Sequence, residues 1–220
     1  MDIAKQVLLA ILMLILLSVL IPARAEEAVS PMIVSETANS TEYPALEADI
    51  PVITSEGKSN VKIAGVKSKN KLVRYTIPET LLRADENFLA LMVEAEKYIG
   101  YPYVYGGSKP STGFDCSGFV CWVFRQSGVY DTGRLGAKGL YSLCTDVSRD
   151  EARPGDLVFF TKTMGADVKG ITHVGIYVGN DMMLHAGDPV GFADLQSDKW
   201  AKKIYAFGRL PVQQGAQADE

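Results

Sequence analysis

The stretch "GFDCSGFVCWVF" (residues 113–124) holds two of the chain's three cysteines and reads as the opening of a helix. Asp115 stands where an N-cap belongs, because its short side chain can accept from the orphan N–H groups of a first turn. Phe119, Val120, Val123 and Phe124 supply a buried face, and Gly128 supplies the stop, so the spacing predicts a helix from Cys116 to Ser127. Cysteines five apart on a helix lie about 140° apart around its axis, so Cys116 and Cys121 cannot bridge within it. Cys116 opens the helix, where the positive end of the dipole favours a thiolate. Asp115 opposes that effect if its charge faces the sulfur, so a base is still required. Cys121, between Val120 and Trp122, turns into the core.

The chain has only two histidines, His173 and His185. They fall on predicted strands, "HVGIYVG" (173–179) and "MMLHAG" (182–187), joined by the turn-prone "GND". A loop of three or five residues would set both rings on one sheet face, with Cβ atoms about 5–8 Å apart. An even loop would set them on opposite faces. A cysteine, a histidine to take its proton and a second polar group to orient that histidine make a nucleophile–base–orienter arrangement. Zinc held by Cys116, His173 and His185 is the rival chemistry. It lacks the close ligand spacing typical of such sites and ranks below a covalent mechanism. No metal or other cofactor is called for.

The rest of the chain frames this centre. With 220 residues, 47% hydrophobic, it has room for one ordinary domain plus extras. A formal charge of −4 gives no reason to expect a nucleic-acid partner. The polar start with Lys5, the apolar run Val7 to Ile21 and the small residues Ala23 and Ala25 read as a secretory signal over residues 1–25; an uncleaved anchor is the alternative. Membrane contact is expected only through that segment. Residues 26–77 are expected as a flexible stalk, acidic and poor in aromatics up to about Ser59. Within it, residues 60–76 form a hairpin packed on the domain or continue the linker. The compact domain is expected over 78–211, and 212–220 as a disordered tail. Asp85 is the candidate cap and Gly100 the stop of a helix carrying Phe88, Leu89, Met92 and Ile99. Short strands are expected at 156–160, 173–179, 182–187 and 203–210. Helices followed by strands imply an α+β fold, with helices packed on an antiparallel sheet. An odd cysteine count leaves at least one thiol free unless chains pair, and a Cys121–Cys144 bridge stays open.

Five segments in order, "GYPYVYGG", "GFDCSGFV", "RPGDLVFF", "HVGIYVGN" and "MMLHAG", resemble the NlpC-type family of bacterial cell-wall cysteine peptidases. The resemblance covers about residues 85–210 and implies a papain-like fold. It also implies a secreted, wall-associated enzyme that cuts peptidoglycan stem peptides, commonly between D-glutamate and the following diamino acid. Cys116 matches the nucleophile, His173 the general base and His185 the orienting group. Tyr103 matches a tyrosine that helps the Cys116 N–H stabilise the oxyanion. Asp115 matches an acidic residue that in some members receives the stem peptide's free amine. Arg134 stands in a segment lining the substrate cleft, without the Ser/Thr that often follows. Tyr105 stands where many members have Trp, and the insert "TKTMGADVKGI" is expected as a rim over the cleft. A monomer is expected. One rival is an N-acetylmuramoyl amidase, which would release peptide-free disaccharides. The other is a non-catalytic wall-binding module, which would have no use for an intact triad and whose Cys116 would fail to react with a thiol reagent at neutral pH.

Overall fold

The computed structural model describes residues 49–165 and 168–212. The N-terminal apolar run, the first part of the expected stalk and the tail from residue 213 lie outside the described residues.

The described chain opens on a short antiparallel hairpin, β1 (Lys62–Ile63) and β2 (Val66–Lys67). Helices α1 (Glu79–Arg83) and α2 (Glu86–Glu96) follow. Asp85 caps α2, its carboxylate accepting the Phe88 N–H at 2.9 Å. The helix ends at Glu96 rather than at Gly100, and the residues between them continue as turns. Gly100 has φ 94°, and a Cβ there would meet the Ser59 carbonyl oxygen at 2.2 Å. Only glycine fits that close approach.

A small pair, β3 (Ser108–Lys109) and β4 (Gly113–Phe114), leads into α3 (Cys116–Gln126). Then come α4 (Ala137–Leu143), β5 (Thr145–Val147), β6 (Leu157–Thr161), β7 (Ile171–Gly179), β8 (Met182–Ala186), β9 (Val190–Asp194) and β10 (Ile204–Arg209). Strands β5 to β10 form one antiparallel sheet in the order β5-β10-β6-β7-β8-β9. This is the expected α+β arrangement. The short elements α4, β5 and β9 carry too little periodicity to be read from sequence.

The sheet buries both faces, as alternation along β6 shows. Leu157 and Phe159 join the main core with Phe88, Phe119 and Phe124 of the helices. Val158 and Phe160 join a second cluster with Trp200 and Phe207. Each such side chain contributes about 1.5–3 kcal/mol on burial. Helix α3 packs across β7 and β8, which brings its first turn to the strands that carry the histidines.

Residues 50–77 do not behave as a stalk. Ile53 and Ile77 belong to the main core. The Ser55 N–H donates to the Tyr75 carbonyl at 3.0 Å, and the Ile77 N–H donates to that of Ile53 at 3.0 Å. Asn70 Nδ2 donates to the Asp188 carbonyl at 2.9 Å. The packed unit therefore starts well before the expected boundary at Pro78. Ile53 and Ile77 are isolated apolar residues in polar, proline-bearing surroundings, and an averaged composition hides them. Of residues 60–76, only Lys62–Lys67 form a hairpin, and the rest runs along the domain without a strand.

Candidate active site

Helix α3 is set by its first turn. The Asp115 Oδ1 accepts from the Gly118 N–H at 2.6 Å and from the Ser117 hydroxyl at 3.0 Å, so Asp115 is the N-cap that its position predicts. The Asp115 N–H donates to the Gly107 carbonyl at 2.9 Å, which ties the cap to the loop before it. A Cβ on Gly118 would meet that same carbonyl oxygen at 2.1 Å. Glycine at 118 is thus what lets the helix start lie against residues 107 and 108. Cys116 follows the cap and is buried. Its sulfur lies beside the backbone N–H groups of Val174, Ser117 and Cys116 itself, and Val174 is the residue after His173.

His173 on β7 and His185 on β8 are buried, with His173 Nε2 and His185 Nδ1 2.8 Å apart. The two nitrogens face each other rather than a common point, which is a hydrogen bond and not a ligand pair. The hairpin reaches this geometry by a route different from the expected odd loop. Its turn has two residues, Asn180 and Asp181, at φ 51° and 54°, as a type I′ turn requires. An even loop alone would place the rings on opposite faces. A bulge supplies the extra residue, because the register moves from Tyr177↔Met183 to Gly179↔Met182. Gly175 leaves room beside the pair, since a Cβ there would meet His185 Cβ at 3.1 Å.

Burial pushes the Cys116 thiol up to about 11, and the Asp115 charge adds to the push. The three backbone N–H groups pull the other way without prevailing. Burial draws His173 down to about 3, helped by the Lys199 charge. His185 is lowered by burial, then by His173 and Lys199. At neutral pH the site therefore holds a thiol and neutral imidazoles. The dipole effect expected at the helix start is outweighed, so slow labelling of Cys116 at neutral pH would not mark the site as inactive.

The other candidate residues divide. Tyr103 lines the same cavity as His173 and His185. Its phenol is raised by burial, then by Cys116 and Asp115, so it stays protonated and able to donate. Asp115 and Arg134 are brought together, but on each other: Arg134 Nη2 donates to Asp115 Oδ2 at 2.8 Å, and Nη1 donates to the Ser117 hydroxyl at 3.1 Å. Asp115 thus carries the helix cap on Oδ1 and the Arg134 ion pair on Oδ2. From the expected rim loop, Thr163 and Met164 line the cavity. All three cysteines are free thiols; Cys121 is buried and Cys144 is not bridged to it.

Sequence reasoning missed Trp200 and Lys199. Trp200 stacks on His173, ring centroids 5.2 Å apart at 27°, and meets His185 edge-on at 5.0 Å. Lys199 Nζ sits 4.9 Å from the Trp200 ring centre. No local pattern marks either residue, and a Trp after a charged turn was the only available signal.

The model of the NlpC/P60 family matches residues 100–209, half of the chain. The chain belongs to the NlpC/P60 family. The matched segment takes in Tyr103, Cys116, His173 and His185 but not the packed residues before Gly100. Among relatives of this NlpC/P60 chain, the bifunctional muramidase/DL-endopeptidase CwlT of Bacillus subtilis is 46% identical over 121 residues, covering 54% of this chain and 36% of that protein. The probable endopeptidase p60 of Listeria seeligeri is 44% identical over 121 residues, covering 54% of this chain and 22% of that protein. The match thus spans about a third or less of either relative. A crystal structure of an NLP/P60 family protein, similar to lipoprotein, from Staphylococcus aureus superposes with a TM-score of 0.54 at 41% identity, covering 57% of this chain and 42% of that one. The NlpC/P60 match agrees with the papain-like fold expected from the five motifs.

Proposed function

We propose that this chain is an exported, wall-associated peptidoglycan hydrolase. It is a cysteine endopeptidase that cleaves stem peptides between D-glutamate and the diamino acid. The observation that carries this reading is the 2.8 Å contact between His173 Nε2 and His185 Nδ1, on strands packed against the helix that Cys116 opens. The DL-endopeptidase and endopeptidase names of the two relatives support the bond class.

The contact constrains the tautomers. With His185 Nδ1 as acceptor, neutral His173 carries its proton on Nε2, and its Nδ1 is free to take the Cys116 proton. In the imidazolium both ring nitrogens carry protons, and His185 still accepts from Nε2. The thiolate formed in that step attacks the amide carbonyl. The Cys116 N–H and the Tyr103 hydroxyl meet the oxyanion. His173 then gives its proton to the leaving amine, and water releases the thioacyl-enzyme. Because Asp115 is paired with Arg134, the two act together on this side of the cleft as a neutralised pair.

Digestion of defined stem peptides by the wild type and by Cys116→Ala, with products weighed by mass spectrometry, tests the reading. Cleavage after D-glutamate that vanishes in both Cys116→Ala and His173→Ala is expected, with Cys121→Ala near normal. Peptide-free disaccharides from whole walls, or turnover surviving Cys116→Ala, would sink it.

A further inference from the structure

The cavity of about 270 Å³ that holds His173 and His185 is also lined by charge of both signs, Lys199 and Lys203 with Asp188. Among the described residues none of the three sits in an ion pair. Asp188 is fixed from outside the family match, its Oδ2 accepting the Lys69 N–H at 3.3 Å and its carbonyl the Asn70 amide at 2.9 Å. Lys199 lies over Trp200, which stacks on His173, so its charge is held one ring away from the base.

The direction of the chemistry says which part of a substrate lies here. The amine that leaves takes its proton from His173, so the residue that carries this amine must rest on the His173 side of the thiol. We infer that this cavity is a subsite for a zwitterionic side-chain end on the leaving residue, with Lys199 and Lys203 taking its carboxylate and Asp188 its ammonium. This deepens the reading above and rests on it. It selects, among stem peptides, those whose diamino acid ends in a free amino-acid head, as diaminopimelate does. A lysine side chain ends in an ammonium alone and would offer Asp188 a partner while facing two cations.

The subsite also bears on the chemistry. Lys199 disfavours the His173 imidazolium, after burial itself. A substrate carboxylate beside Lys199 offsets that charge at the moment His173 must accept a proton. The gain then falls partly on kcat and not on KM alone.

The test uses two synthetic stem peptides that differ only in the diamino acid, meso-diaminopimelate in one and L-lysine in the other. Each is assayed for hydrolysis by the wild type, by Lys199→Met and by Lys199→Met/Lys203→Met, and for binding to Cys116→Ala by calorimetry. Two partly exposed charge pairs correspond to a preference of about tenfold in kcat/KM for the diaminopimelate peptide. That ratio is expected to fall toward unity in the double variant, and a urea-unfolding midpoint close to that of the wild type shows that the variant is folded. Equal rates on both peptides in the wild type, or a preference that survives the double substitution, would overturn the subsite. If neither peptide is cleaved but Cys116→Ala binds the diaminopimelate peptide more tightly, the subsite stands and the proposed reaction is wrong.

Discussion

At the scale of single residues, the site depends on one acceptor atom. His185 presents Nδ1 to His173, and an asparagine at 185 would carry its amide oxygen at nearly the same place. His185→Asn is therefore expected to keep much of kcat, whereas His185→Ala loses about 10²-fold or more by freeing the wrong tautomer. Equal losses in the two variants would show that His185 acts by packing alone. The thiol makes a second prediction. Because burial and Asp115 hold it near 11, the rate of iodoacetamide alkylation at Cys116 should climb with pH through 8, 9 and 10. A plateau already reached at pH 7 would mean that the resting site is an ion pair. Cys116, His173 and His185 were legible because one cysteine follows a capping residue and the chain has no other histidines. Trp200 and Lys199 were not, because only the return of the chain after β9 carries them over the histidines. That return is a long-range event with no local period.

At the scale of elements, α3 and the β7–β8 hairpin are held by absences of side chain. Gly118→Ala would drive a methyl into the Gly107 carbonyl and force the helix start away from its loop. Overpacking of this kind costs about 1–3 kcal/mol, and the loss should appear both in the urea midpoint and in turnover, since Cys116 moves with the turn. Retention of full activity would mean that the helix start can shift without consequence. Helix α3 and strands β6, β7 and β8 were readable to within about two residues, because their periods of 3.6 and 2 are clean. The bulge at Val178 was not, and without it the correct two-residue turn would have argued against the site. Parity along a hairpin is set by turn and bulge together, and sequence displays only the turn.

At the scale of the whole molecule, the packed unit is larger than the family match. Ile53→Ala is expected to cost about 2–4 kcal/mol in urea unfolding, as for any emptied core position. A change below about 0.5 kcal/mol, the usual surface value, would return residues 50–77 to the status of a linker. The buried titrating groups also set a stability window. His173 and His185 sit below the ordinary value of 6.5, so on acidification the unfolded chain takes up protons that the folded one refuses. Stability should fall from pH 6.5 downward, less steeply in His185→Asn. Cys116 sits above its ordinary value of 9.0, so above that pH the unfolded chain loses the proton first and stability falls again. An unfolding midpoint unchanged between pH 7 and 4.5 would contradict the buried neutral imidazoles.

The chain has two tryptophans, and they report on different places. Trp122 Nε1 donates to the Tyr98 hydroxyl at 2.8 Å on the helix side, while Trp200 is stacked on the base itself. In a Trp122→Phe variant, all indole fluorescence would come from the wall of the reaction cleft. Ligand entry, proton uptake by His173 and release of product would then each be visible as light, in the unlabelled protein and in real time.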